Sequence, residues 1–120
     1  MKPYQDARVE GEKLAKQYAE LEQADQVDFY NGLEGYYSVL GHNKKQEAIA
    51  VLIEKNDHKI YVYQLDKGIS QDKAATISRE KGASDIDKVT FGRYQDNPIW
   101  EVKSGNHYYL IDFETGAVIQ

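Results

Sequence analysis

The sequence predicts an α+β protein made of two tandem units, each a helix packed on a small antiparallel sheet. Three observations carry this expectation. Apolar residues recur at helical spacing in two separate segments, near residues 4–23 and 71–81. Each segment is followed by short apolar runs that alternate with a period of two. The breaks between runs are too brief for parallel crossovers, which need about a dozen residues or more.

The first helix is read from Ala7, Gly11, Leu14, Tyr18 and Leu21, which fall at steps of four, three, four and three. Glu, Lys and Gln fill the other faces, so the stripe is that of an amphipathic helix. Ala15 and Ala19 widen it, and Gln23-Ala24-Asp25-Gln26 is polar enough to end it near residue 23. Four strands follow, around Val27 to Phe29, Tyr37 to Val39, Ile49 to Ile53 and Ile60 to Tyr63. Asn31-Gly32 through Gly35, Gly41 through Lys45 and Asn56-Asp57-His58 supply residues suited to the turns of an antiparallel meander.

Ser70 opens the second helix as an N-cap, with Asp72 placed where the helix dipole favours an anion and Ile69 placed to staple against Ala74. Ala74, Ile77 and Ser78 form its small-residue face, and Gly82 is a left-handed stop. Strands resume at Ile86 to Tyr94, Ile99 to Lys103 and His107 to Phe113, with a short last one at Ala117 to Ile119. The same order therefore occurs twice, and the expected boundary separates residues 1–65 from residues 66–120.

Composition excludes several function classes. The 15 basic and 20 acidic residues are interspersed at net charge -5, which leaves no basic stripe for nucleic acid. Zero cysteines exclude disulfides, a thiol nucleophile and thiolate metal sites. No apolar stretch approaches the roughly 20 residues that span a bilayer. Met1-Lys2-Pro3 lacks a basic-then-apolar leader, so an export segment is expected outside these 120 residues.

The second half carries a resemblance. Ile69-Ser70-Gln71-Asp72-Lys73-Ala74, then Pro98-Ile99-Trp100-Glu101-Val102-Lys103, then Tyr108-Tyr109-Leu110-Ile111-Asp112 and Thr115-Gly116-Ala117-Val118-Ile119 resemble a PepSY domain. Those domains run helix, strand, a P-x-[YW]-x-V strand and an aromatic strand ending in D-x-x-T-G-x-V. With the Phe29-Tyr30-Asn31-Gly32 to Tyr37 region and the Gly41 turn, the whole chain is similar to the YpmB family of Gram-positive bacteria. The resemblance implies two cystatin-like units, the second PepSY-like, on the outer side of the cell membrane behind an N-terminal anchor that these residues do not contain. It implies a non-catalytic interaction or regulatory module with no cofactor, whose partner is an envelope protein. A PepSY-type inhibitor of a secreted protease is the alternative, and a small-ligand-binding domain a further one.

The residues themselves assemble no catalytic machinery. Glu114-Thr115-Gly116 resembles the Asp-Thr-Gly of aspartic proteases, but has Glu for Asp and occurs once, whereas that chemistry needs two carboxylates sharing a proton. It is read as a turn. His42, His58 and His107 form no H-x-x-x-H or H-E-x-x-H pair for zinc, and Asp112-x-Glu114-x-Gly116 lacks the further acids of a calcium loop. No G-x-S-x-G elbow or phosphate loop is present. The chain is therefore expected to be neither an enzyme nor a metal site. Ten tyrosines are its most unusual feature, and Tyr36, Tyr61, Tyr63 and Tyr108 fall on strand faces opposite the expected core. Exposed tyrosine is a favoured interface anchor, which makes these four the candidate binding residues.

Overall fold

The computed structural model describes the backbone of residues 3–32 and 34–119 and the side chains of residues 9–32 and 34–119. Two compact units divide the chain, Met1–Gln64 and Leu65–Gln120. The fold is α+β, with each unit carrying one α-helix and one antiparallel sheet.

In unit 1, helix α1 (Pro3–Tyr18) leads into strands β1 (Leu21–Asn31), β2 (Gly35–Asn43), β3 (Ala48–Glu54) and β4 (Ile60–Gln64). They pair in the order β1-β2-β3-β4, the expected meander. Alternation along the strands sends Val27, Tyr37, Val39, Ile49, Val51 and Ile53 to one face, where they are buried with Ala15, Ala19 and Leu21. The small residues of α1 let it lie close to that aliphatic layer. Predicted stripe residue Ala7 lies outside the described side chains.

The helix ends earlier than its apolar period suggests, and β1 begins earlier. Ala19 N–H still donates to Ala15 O at 2.9 Å, but Glu20 takes a positive φ of 57° and Leu21 starts the strand. Leu21 is buried in either conformation, so the helical spacing that included it could not choose between them. Pairing with β2 decides the matter, with Leu21 opposite Asn43 and Ala24 opposite Gly41. Register shifts between Leu21 and Gln23 and between Ala24 and Gln26 break the alternation that would otherwise have marked this stretch as a strand. Gly41 and His42, expected in a turn, belong to β2; the turn itself is held by Asn43 Oδ1, which accepts from Lys45 N–H at 2.9 Å and Glu47 N–H at 3.0 Å.

In unit 2 a 3-10 turn (Leu65–Lys67) precedes α2 (Gln71–Glu80), β5 (Lys88–Tyr94), β6 (Asn97–Ser104) and β7 (His107–Asp112), paired β5-β6-β7. Ser70 caps α2, its Oγ accepting from Lys73 N–H at 3.0 Å, and Gly82 follows the helix at φ 113°. Of the face expected for α2, Ala74 and Ser78 are buried and Ile77 is half-buried, and Ala75, which the sequence reading left out, is buried with them. The expected last strand is reduced to one bridge between Val118 and Ile111, because the turn after Asp112 leaves room for few paired residues.

The core of unit 2 is aromatic. Phe91, Trp100 and Phe113 meet edge to face, with centroids 4.9, 5.2 and 6.4 Å apart. Such pairs add about 0.5–1.5 kcal/mol each beyond the burial of the rings. Trp100 Nε1–H donates to Ile69 O at 3.0 Å, and Ile69 N–H donates to Phe113 O at 2.8 Å. The segment before α2 is thereby bonded to both β6 and the end of β7.

Candidate functional site

The candidate tyrosines occupy different environments. Tyr36 is only 3% exposed, which corrects the expectation that it is an exposed anchor. Its ring lies 6.4 Å from Tyr30 and 6.4 Å from Tyr61, and its hydroxyl donates to Glu34 Oε2 at 3.2 Å. Tyr61 and Tyr63 are half-buried on β4, whereas Tyr108 on β7 is 54% exposed. The structure thus brings Tyr36 and Tyr61 together and adds Tyr30. Sequence reasoning missed Tyr30, although its place one residue beyond core-facing Phe29 signals the Tyr36 side of the sheet.

Acids gather beside this cluster. Glu54, opposite Tyr36 in the β2–β3 register, is 6% exposed. Burial pushes its carboxyl above the ordinary value, helped by a hydrogen bond with Asp57 and by the charges of Glu34 and Asp57, while Lys59 acts the other way. A pair of this kind can share a proton. Among the described residues, however, no group of three or more His, Asp or Glu side chains is placed to hold a metal ion.

On the other face of unit 1, α1 packs across β1, β2 and β3. Beside it lies an apolar cleft of about 210 Å³ lined by Leu14, Tyr18, Ile53, His58 and Ile60. Tyr18, the last residue of α1, is 62% exposed, and Val62 on β4 is 48% exposed. The cleft joins residues far apart in the chain. Leu14 and Tyr18 were legible only as one helical stripe, and His58 only as a turn residue, here at φ 55°.

The remaining polar candidates serve the framework. A polar cleft of about 350 Å³ in unit 2 includes Ser84, Asp85, Asp87, Asn106, His107 and Tyr109, but Asp87 Oδ2 already accepts from Gly105 N–H at 2.8 Å and clamps the β6–β7 turn. His42 Nδ1 lies 2.9 Å from Asp25 Oδ2 across the β1–β2 pair. His107 and Asp112 stand at opposite ends of β7 and alternate to opposite faces. Asp112 is occupied by the turn, its Oδ2 accepting from Thr115 Oγ1–H at 2.7 Å and its backbone O from Gly116 N–H at 2.8 Å. Thr115 Oγ1 in turn accepts from Ala117 N–H at 3.1 Å, and Gly116 sits at φ 81°. The Glu-Thr-Gly stretch is a turn, and the carboxylate that meets it, Asp112, is held by the turn's own Glu114 N–H and Thr115 hydroxyl.

No helix among the described residues is long and apolar enough to cross a membrane. Against this geometry stand the likenesses to known proteins. Residues 10–54 match the family model described as the cell wall elongation regulator TseB-like domain. The chain is 34% identical over 113 residues to the probable cell wall elongation regulator TseB of Bacillus subtilis (strain 168), covering 88% of this chain and 70% of that protein. Among solved structures, the YpmB protein from Bacillus subtilis superposes with a TM-score of 0.78 at 31% identity, covering 100% of this chain and 96% of that one.

Proposed function

The chain belongs to the family of cell wall elongation regulator TseB-like domains, and on that premise we propose that it is a non-catalytic, extracytoplasmic module that regulates cell wall elongation by contact with another envelope protein. One observation carries the reading. The residues matched by the family model, 10–54, run from within α1 to the end of β3 and supply Leu14, Tyr18 and Ile53 to the apolar cleft. An aliphatic hollow flanked by an exposed aromatic ring suits a side chain presented by a partner. Asp112 is engaged in its turn and His42 lies against Asp25 across a strand pair, which supports binding over catalysis.

The reading is tested in a bacterium whose own gene for this protein has been deleted. The full-length protein is expected to restore the incorporation of labelled wall precursor along the cell cylinder. The double variant Leu14→Asp, Tyr18→Asp, folded by circular dichroism and exported normally, is expected not to. Full rescue by that variant would remove the cleft from the function. Failure of the unaltered protein to rescue would remove the function itself.

A further inference from the structure

Helix α2 stops at Glu80, but the sheet face on its side runs on beyond it. Alternation sends Phe91, Trp100 and Ile111 to that face, and continues it at one end with Asp87, Ser104, His107 and Tyr109. The face changes there from apolar to polar. Together with Asp85 and Asn106, these four residues line the cleft of about 350 Å³ between the loop after α2 and the β6–β7 turn.

The walls of this cleft are held in place by backbone bonds. Ala83 N–H donates to Ser78 O at 3.0 Å and Asp87 N–H to Lys103 O at 2.8 Å, which fixes the loop at both ends. Asp87 Oδ2 accepts from Gly105 N–H at 2.8 Å and ties the loop to the turn. Tyr109 reaches from β7 to Gly82, where an added Cβ would stand 3.9 Å from its hydroxyl. A ligand entering here meets groups that are already ordered, so little freedom is lost on binding.

Those bonds leave other polar groups over. Ser104 is 6% exposed, yet among the described residues nothing bonds its hydroxyl. No side-chain polar atom among those residues is sealed from solvent without a partner, so the Ser104 hydroxyl opens onto the cleft that it lines. Exposed Asp85 and Asn106 likewise carry no side-chain bond among the described residues.

The mixture of groups selects the ligand. Asp85 and Asp87 accept, the Ser104 and Tyr109 hydroxyls give or take, and the Asn106 amide does both at once. An ammonium ion would leave the donors unused, and an anion would face two carboxylates. A neutral ring of hydroxyls, each giving and taking a hydrogen bond, uses them all, and the cleft has the size of a small-ligand site. We propose that the end of unit 2 beyond α2 is a carbohydrate subsite, in which Asp85, Ser104 and Asn106 bond the hydroxyls of a neutral sugar ring.

The test follows the amide signals of the 120-residue chain by NMR during titration with the trimer of N-acetylglucosamine and, separately, with maltotriose. At least one is expected to shift residues 82–87 and 104–107 saturably, with a Kd of about 1 mM or tighter. A response to the first alone would identify an amino-sugar glycan as the source, and a response to maltotriose alone a hexose glycan. Asp85→Ala and Ser104→Ala are each expected to weaken the binding about tenfold. Their urea midpoints are expected to stay at that of the unaltered chain, because neither side chain is bonded in the fold. No saturable shift with either trimer up to about 20 mM would overturn the proposal. So would binding that survives both substitutions unchanged. Shifts at the cleft caused by spermidine and by neither trimer would assign it to an ammonium ion, again against the sugar.

Discussion

Unit 1 and unit 2 build one plan from different materials. Unit 1 lays a long helix with small contact residues across a four-stranded sheet whose inner face is aliphatic, with Val39, Ile49, Val51 and Ile53 buried. Unit 2 has a shorter helix and three strands, and fills its core with Phe91, Trp100 and Phe113. The smaller unit has fewer positions from which to bury surface. Larger rings at three of them, locked by the Trp100 and Ile69 hydrogen bonds, supply what the missing strand does not.

The comparison can be broken most forcefully at Trp100. Trp100→Ala removes the largest ring of the triad and leaves Ile69 O without its donor, so a loss of about 3–5 kcal/mol is expected in urea unfolding. A loss near that of a single valine would mean that the triad does not carry unit 2. Steric tests come next, one in each unit. A Cβ on Gly41 would stand 2.0 Å from the backbone O of Gln23, and a Cβ on Gly68 would stand 2.4 Å from that of Phe113. Backbone cannot yield as a side chain does, so Gly41→Ala and Gly68→Ala are each expected to cost about 1–3 kcal/mol or more. Amide exchange should locate the first loss at the β1–β2 pairing and the second at the junction before α2.

The smallest effect concerns acid. Burial raises Glu54 in unit 1 and Glu101 in unit 2 above their ordinary value of 4.5, with Lys88 opposing the shift at Glu101. A carboxyl raised by folding favours the protonated folded state. Its contribution is therefore fullest below the ordinary value and is lost as pH rises through the raised one. Glu54→Gln and Glu101→Gln are each expected to flatten that part of the stability profile, measured as urea midpoints from about pH 4 to neutrality. Unchanged profiles would show that neither carboxyl is desolvated enough to matter.

Much of the fold was legible because the chain's local signals agree with its packing. The period change after α1, the Ser70 cap, the Asn43 turn and the Thr115-Gly116 turn all mark their elements in sequence. The misread stretch, residues 19–26, is where they disagree. Leu21 suits a helix stripe and a strand equally, and bulges hide the strand period. The site was less legible. Alternation correctly separates Tyr36 from Tyr37, but both are buried, since a strand in the middle of a sheet can be covered on either side. The cleft draws on α1, β3, β4 and a turn, and no short segment announces such a meeting.

The bond from Ile69 N–H to Phe113 O sets an order of events when the chain is made. Unit 1 has its helix and all four strands by Gln64, so a polypeptide emerging from the ribosome or an export channel can complete that unit early. Unit 2 cannot. Its first residues wait for Phe113, more than forty positions later, to close both the core and the junction before α2, and such long-range closure slows folding. A polypeptide stalled or clipped before Phe113 would therefore present a finished first unit joined to an unfinished second, with Phe91 and Trp100 open to chaperones and proteases.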